Sequence, residues 1–153
     1  MLHYDGTSWV AIDSRSFYTI WGSSATDVFA ASGNGSIYHY DGTTWVSMST
    51  GTDNTIRDIW GTAGNNVFAV GSFHTILHYD GNAWTQRKQW TELEGILLGE
   101  LDSIWGSSAT DVFAVGDGGE ILYYDGHADD DGIIDIEDNC PYYNNLIFLK
   151  SNS

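Results

Sequence analysis

Most of this chain is made from one sequence unit that recurs along it. Residues Ile104 to Gly126 read IWGSSATDVFAVGDGGEILYYDG, and close variants occupy Ile20 to Gly42 and Ile59 to Gly81. A further HYDG with a following Trp opens the chain at His3 to Trp9. A chain that repeats itself at this length is a stack of one supersecondary unit, so the repeat constrains the fold more than any single residue does.

The repeat predicts four short strands per unit. The Trp residues at 21, 60 and 105 are 39 and 45 residues apart, and the longer spacing contains the segment from Gln86 to Glu100. In the first full unit the β-rich runs bounded by turn residues are Thr19 to Trp21, Asp27 to Ala31, Ser36 to Tyr40 and Thr44 to Met48. Four strands in a unit of this size are typical of a β-propeller blade. We therefore predict an all-β fold of about three four-stranded antiparallel blades.

The units set the expected domain boundaries. Residues 1–126 form the propeller region, with units near 2–12, 17–48, 56–86 and 101–124, followed by an acidic loop at 127–141 and a tail of unknown structure at 142–153. Three blades are too few for a closed ring, since propellers typically have four to eight. Two explanations remain open: a homo-oligomer in which two copies supply six blades, or a chain that is a piece of a longer array.

Within these units, IWGSSATDVFAVGDGG and HYDGxxW resemble the tandem propeller repeats of large bacterial secreted or surface proteins. The resemblance implies a propeller fold and an extracellular or cell-surface location, but it implies little about activity. The chain shows no signal peptide and no apolar run near the roughly 20 residues of a membrane helix. Its start inside a unit makes a fragment the expected explanation for the missing signal peptide.

Charge and composition exclude some partners. The formal charge is −16, from five Lys and Arg against 21 Asp and Glu, which argues against a nucleic-acid partner because phosphate binding needs a basic surface. Seven Trp and nine Tyr are many for 153 residues. Most of them recur at matching repeat positions, so we interpret them as blade-packing residues rather than ligand-stacking ones.

The repeat also argues against catalysis. His3, His39 and His78 occupy one repeat position, which Tyr123 fills in the last unit, so these imidazoles are interpreted as structural. The Asp residues of the Asp-Gly turns are expected to cap their own turn backbone; they are Asp5, Asp41, Asp80 and Asp125. No GxSxG, P-loop, HExxH or CxxC motif is present. We predict that the chain is not an enzyme.

Two neighbouring segments depart from the repeat and form one candidate binding face. The insertion from Gln86 to Glu100 and the turn at Ser72 to His74 are expected on the same side of the propeller. Five side chains could gather there as a platform for a sugar or an anionic group: Phe73, His74, Arg87, Lys88 and Trp90. The alternative is a solvated loop with one Trp tucked against the blade.

The acidic loop predicts a calcium site. Ca²⁺ takes six to eight oxygen ligands, and a loop with acids at alternate positions, Gly at the sixth and an acid at the twelfth can fold around one ion. With Gly132 at the sixth position, the candidate ligands are Asp129, Asp131, the backbone carbonyl of Ile133, Asp135 and Asp138. The first position falls on His127, whose imidazole is a poor Ca²⁺ ligand.

The stretch from Asp129 to Pro141 resembles a thrombospondin type 3 repeat, whose pattern is DxDxDGxxDxxDNCP. The resemblance implies the same four aspartates and the Ile133 carbonyl as Ca²⁺ ligands, in a secreted or cell-surface protein. It also implies that Cys140 pairs with a Cys of a neighbouring repeat, although this chain has one Cys and one such repeat. An acidic turn that holds no metal is the alternative.

Together these patterns predict a non-enzymatic extracellular or cell-surface module. Its blades would be a scaffold for protein or glycan binding, and its C-terminal repeat would bind Ca²⁺ as the cofactor. Two alternatives remain: a carbohydrate-binding lectin that uses the departing segments, and a fragment of a secreted polysaccharide-active enzyme.

Overall fold

The computed structural model describes residues 1–4, 6–11, 14–87 and 99–124. Every regular element in these residues is a β-strand except a single 3₁₀ turn at Asp117–Gly119. The strands are β1 (Leu2–Tyr4), β2 (Trp9–Ala11), β3 (Thr19–Ser24), β4 (Asp27–Ala31), β5 (Ile37–Tyr40), β6 (Trp45–Met48), β7 (Ile56–Ala63), β8 (Asn66–Gly71), β9 (Thr75–Tyr79), β10 (Trp84–Arg87), β11 (Leu101–Ser108), β12 (Asp111–Gly116) and β13 (Glu120–Tyr124).

The strands form separate antiparallel sheets in which each strand pairs with the next one along the chain. Blade 1 has the order β3-β4-β5-β6, blade 2 is β7 to β10 in the same up-and-down order, and blade 3 contains β11-β12-β13. Strands β1 and β2 pair as an N-terminal hairpin. The register repeats as well, because Trp21, Trp60 and Trp105 stand opposite Phe29, Phe68 and Phe113. The predicted all-β fold of four-stranded antiparallel units is confirmed.

Apolar side chains fill the spaces between consecutive blades. Successive residues of a strand point to opposite faces, so each blade has one face for the preceding blade and one for the following blade. Between blades 1 and 2 the buried residues include Phe29, Ala31, Ile37, Ile56, Ile59, Val67, Ala69, Leu77 and Trp84. Between blades 2 and 3 they are Phe68, Val70, Leu101, Ile104, Val112 and Ala114. The core is therefore a series of similar layers.

In each layer a Trp of one blade lies over a Gly of the next. A Cβ atom added to Gly61 would lie 2.9 Å from Cη2 of Trp21, and one added to Gly106 would lie 2.6 Å from Cη2 of Trp60. Real Cβ atoms do not approach other atoms this closely, so the indole rings can pack here only because these positions lack a side chain. The Trp-Gly pair of the repeat is thus a packing contact that spans two blades.

Asp58 links the first strands of all three blades. Its Oδ1 accepts a hydrogen bond from the Thr19 hydroxyl at 2.9 Å, and its Oδ2 accepts from the Ser103 hydroxyl at 2.8 Å and the Ile104 amide at 3.0 Å. Thr19, Asp58 and Ser103 occupy one repeat position, so a single carboxylate serves the hydroxyls on both sides. Arg57 adds an ion pair to Glu100 and another to Asp102, at 3.4 Å, across the junction of blades 2 and 3.

The Asp-Gly turns are capped as predicted. Oδ1 of Asp41 accepts from the amides of Thr43 and Thr44, both at 2.8 Å, and Oδ1 of Asp80 accepts from Asn82 and Ala83 at 2.8 and 3.0 Å. These amides favour the ionised carboxylate, so they lower the pKa of both aspartates, led by the amides of Thr44 and Ala83. Asp5 and Asp125 lie outside the described residues.

We expect Gly61→Ala and Gly106→Ala to lower the free energy of unfolding by about 1–3 kcal/mol, because the new methyl overlaps both the indole of the preceding blade and a backbone carbonyl of its own hairpin, that of Asn66 or Asp111. The control is Gly22→Ala, where the equivalent methyl meets atoms of its own hairpin and no Trp. Urea titration of the three variants measures the difference. If Gly22→Ala costs as much as the other two, the effect belongs to the hairpin and not to the contact between blades.

Candidate functional site

The turn between β8 and β9 has an unusual backbone. Phe73 and His74 both have positive φ, at 56° and 51°, which is the pattern of a two-residue type I′ hairpin turn. The equivalent turn of blade 1 places Asn34 and Gly35 in this region, and these residue types enter it readily. A Phe there costs on the order of 1–3 kcal/mol, and such strain often marks a functional position.

His74 holds this turn against blade 3. Its Nε2 lies 2.5 Å from Oε2 of Glu120 on β13, and its amide donates to the Gly99 carbonyl at 3.2 Å. The side chains of His74 and Glu120 are each only 10% exposed. The Thr75 hydroxyl completes the turn by donating to the Ser72 carbonyl at 2.6 Å. His74 therefore lies beneath the surface, where it anchors the turn.

Phe73 is the exposed member of the same turn. Its side chain is 56% exposed, although the backbone on either side of it is held by the contacts of Ser72, His74 and Thr75. A large aromatic side chain is thereby presented to solvent from a constrained backbone. This combination is the strongest candidate contact surface that the described part of the departing segments provides.

Arg87 makes its contact within blade 2. It ends β10 opposite Ile76, and its Nη2 lies 3.0 Å from Nδ1 of His78. Nε2 of His78 lies 2.7 Å from Oδ1 of Asn66. Because the amide oxygen accepts and the guanidinium donates, this network suits a neutral imidazole that carries its proton on Nε2. Burial first, and then the positive charge of Arg87, lower the pKa of His78 below its ordinary value of 6.5.

The remaining predicted site residues lie outside the described part of the chain. These are Lys88 and Trp90 of the insertion, and the calcium-loop residues Asp129, Asp131, Ile133, Asp135 and Asp138. Within residues 1–4, 6–11, 14–87 and 99–124 no group of three or more His, Cys, Asp or Glu side chains could hold a metal ion. The platform and the calcium site both stay predictions.

The recurring His position has a structural environment. His39 stacks on Phe29 with ring centroids 4.5 Å apart, and its Nε2 lies 2.6 Å from Oδ1 of Asp27. His78 stacks on Phe68 at the same distance, while Tyr123 stacks on Phe113 at 4.6 Å in blade 3. Every blade thus uses this position to cover the Phe of its second strand, which fits the structural interpretation.

Glu120 is the residue of this region that sequence reasoning missed. Glu120 occupies the repeat position that Ser36 and Thr75 hold in the other two units. An acidic residue at this position departs from the repeat, and that departure was the signal available in the sequence. Its meaning depends on His74, which is 46 residues away in sequence. The pairing follows from the stacking of blades 2 and 3, and no local pattern contains it.

The comparisons with known proteins support the fold. No family model and no curated protein matches the chain. Among solved structures, YCF48 with a bound D1 peptide aligns with a TM-score of 0.64 and 17% identity over 80% of this chain. YCF48 from Cyanidioschyzon merolae aligns with a TM-score of 0.61 and 16% identity over the same share. In both cases the chain spans 43% of the length of the solved structure.

These likenesses agree with the layout of the sheets. YCF48 is a β-propeller, and the four-stranded antiparallel sheets of this chain match that architecture. Identities of 16–17% show the fold alone. Among the described residues, no helix is long and apolar enough to cross a membrane. The layout of the sheets and the two alignments show that the chain has a β-propeller fold built from stacked antiparallel blades.

We expect His78 to titrate below 6.5 and Arg87→Met to raise its pKa, because the variant removes a positive charge 3.0 Å away. The folded pKa lies below the unfolded one, so the unfolded chain binds more protons and stability falls as pH drops below 6.5 toward the folded pKa. NMR titration of the imidazole measures this. Arg15→Met is the control, since Arg15 lies over Tyr38 in blade 1. An unchanged His78 pKa in Arg87→Met would contradict the network.

Proposed function

We propose that the chain is a non-enzymatic, protein-binding propeller module of an extracellular or cell-surface protein. The observation that carries the proposal is the fold likeness to YCF48, which has been solved with a bound peptide. Propellers serve many functions, so the likeness supports a scaffold and leaves the partner open. A location outside the cell rests on the resemblance of the repeats to bacterial secreted and surface proteins.

The proposed contact surface centres on Phe73. Large exposed aromatic side chains are frequent anchors at protein interfaces, because they bury much apolar area on binding. The turn is also preorganised, since His74 and Thr75 fix the backbone on one side of Phe73 and Ser72 pairs with Glu100 on the other. Less conformational entropy is then lost when a partner binds.

The charge of the chain favours a basic or neutral partner. A formal charge of −16 disfavours the approach of acidic ligands to the chain and favours that of cationic ones. An extended peptide with Lys or Arg beside an apolar residue would combine attraction to the acidic chain with a side chain that packs on Phe73. A glycan stacked on the same ring is the second candidate, because aromatic side chains commonly line ligand sites.

We expect Phe73→Ala to weaken a bound peptide by tenfold or more, about 1.4 kcal/mol, because the variant removes the apolar anchor while the turn remains. Peptides selected from a random library on the immobilised protein supply the probe, and fluorescence anisotropy gives each Kd. Val46→Ala is the matched control, since Val46 and Phe73 are both 56% exposed. Equal peptide Kd values for Phe73→Ala and Val46→Ala would show that Phe73 is not part of the binding site. If the wild-type chain selects no peptide but binds glycans on an array, the protein-binding proposal is wrong.

We also propose that residues 127–141 bind one Ca²⁺ ion. The support is the spacing of Asp129, Asp131, Asp135 and Asp138 around Gly132, together with the resemblance to a thrombospondin type 3 repeat. Without a cation, these carboxylates repel one another within ten residues of chain. The carbonyl of Ile133 would supply a further oxygen. Extracellular Ca²⁺ modules typically bind at about 10⁻⁴–10⁻³ M, so we expect an affinity in this range.

We expect millimolar Ca²⁺ to raise the thermal midpoint or to sharpen the NMR signals of residues 127–141, because metal binding couples to folding of the loop. The double variant Asp131→Asn with Asp135→Asn should lose this response. Asp53→Asn, which removes an exposed acid from the propeller region, should keep it. A wild-type chain that responds equally to Mg²⁺, or to neither ion, would show that the loop is not a Ca²⁺ site.

A further inference from the structure

A polar groove lies where the chain leaves blade 1 for blade 2. Residues 34–36, in the turn between β4 and β5, form one side of it, and residues 48–53, at the end of β6 and beyond, form the other. The groove has a volume of about 340 Å³, which is within the range of roughly 300–1,000 Å³ that ligand sites occupy. Most of its lining is polar, so it suits a charged or hydrogen-bonding group better than an apolar one.

The two sides of the groove are held together by contacts of their own. The hydroxyl of Thr50, a buried residue, donates a hydrogen bond to the Gly35 carbonyl at 2.7 Å. The backbones also approach closely, because a Cβ atom added to Gly35 would overlap the carbonyl oxygen of Thr52. The groove is therefore formed before a ligand enters it, which reduces the entropy lost on binding.

The connection that follows the groove runs alongside the turn that carries Phe73. The Thr55 carbonyl accepts a hydrogen bond from the Ser72 amide at 2.9 Å. One residue before Thr55, Nδ2 of Asn54 donates to the Thr75 hydroxyl at 2.8 Å. Because Phe73 lies between these two bonded positions of the turn, its exposed ring and the groove belong to the same face of the propeller. One ligand can contact both.

Asp53 is the acid of the groove lining, and it is exposed. In the described part of the chain its carboxylate accepts no hydrogen bond and pairs with no basic side chain. Most other acids of that part already have partners, as Asp58 has between the blades and Asp80 in its own turn. An unpaired carboxylate in a polar groove favours a cationic group.

We propose that this groove binds the basic side chain, Lys or Arg, of a peptide whose neighbouring apolar side chain packs on Phe73. The inference rests on the proposed function and adds to it the residue that selects among peptides. Asp53 supplies the negative charge. Lys and Arg carry several N–H donors and no acceptor, so the hydroxyl and carbonyl oxygens of the lining suit the donors that Asp53 leaves free.

The test uses peptides selected from a random library on the immobilised wild-type chain. We expect these peptides to share a Lys or Arg at a fixed sequence distance from an apolar residue. Asp53→Asn should raise their Kd about three- to fivefold, the size expected of an exposed ion pair. The effect should shrink in about 0.5 M NaCl, because salt screens the pair. Thermal unfolding should show an unchanged fold, since Asp53 has no side-chain partner among the described residues.

Asp117→Asn is the matched control, because it makes the same change of charge elsewhere on the chain. Asp117 is also exposed and its carboxylate is also unpaired among the described residues, but it lies in the turn of blade 3, next to Gly99. It should leave the Kd unchanged. Equal losses in Asp53→Asn and Asp117→Asn would assign the effect to the total charge of the chain and overturn the inference.

A change in the peptide tests the same pair from the other side. Norleucine in place of the basic residue removes the charge and keeps an unbranched side chain. It should weaken binding to the wild type and have little further effect on binding to Asp53→Asn, because the partner of the charge is already gone. Equal losses with both proteins would overturn the assignment of the groove to the basic residue.

The outcomes also separate this inference from the proposed function. If the library yields no binder, the protein-binding function is wrong and the inference is overturned with it. If the selected peptides lose affinity for Phe73→Ala but contain no shared basic residue, or bind Asp53→Asn as tightly as the wild type, the protein-binding function stands and only the assignment of the groove is wrong.

Discussion

The approach of an indole ring to a glycine governs how this chain stacks. Trp21 over Gly61 and Trp60 over Gly106 bring the first strands of neighbouring blades within van der Waals reach, and the surrounding apolar side chains close over the contact. Because each blade contributes both a Trp and a Gly, the same contact can extend from blade to blade without change. Asp58 adds a polar tie where the first strands meet, by accepting bonds from Thr19 and Ser103 on either side.

This arrangement separates residues that build the blade from residues that are free to differ. The Phe and the His or Tyr of each unit stack on one another within the blade, as His39 does on Phe29, His78 on Phe68 and Tyr123 on Phe113. Departures from the repeat occur in the turn at Phe73 and His74 and at Glu120. His74 and Glu120 form a buried contact between blades, and Phe73 is left on the surface. A repeated scaffold thus presents a turn that differs between the units of this chain.

Much of the fold could be predicted because its determinants are local. The strand from Asp27 to Ala31 was predicted with the observed bounds, and the capping of the Asp41 and Asp80 turns followed from side chains that reach their own turn backbone. The candidate site was harder to predict. The sequence places His74 in a candidate platform because its turn departs from the repeat, whereas the structure buries it against Glu120, since its position depends on how blade 3 lies against blade 2.

By itself, the sequence determined the period of the repeat, the antiparallel strands and their turns, because hydrophobic alternation and turn chemistry act over a few neighbouring residues. Only the tertiary structure decided which members of one repeat position are buried. Ile20, Ile59 and Ile104 have the same side chain and the same local sequence, but a preceding blade covers only the last two. Likewise Trp105 differs from Trp21 and Trp60 only in what packs against it. Burial depends on contacts between distant residues, and a local pattern does not contain them.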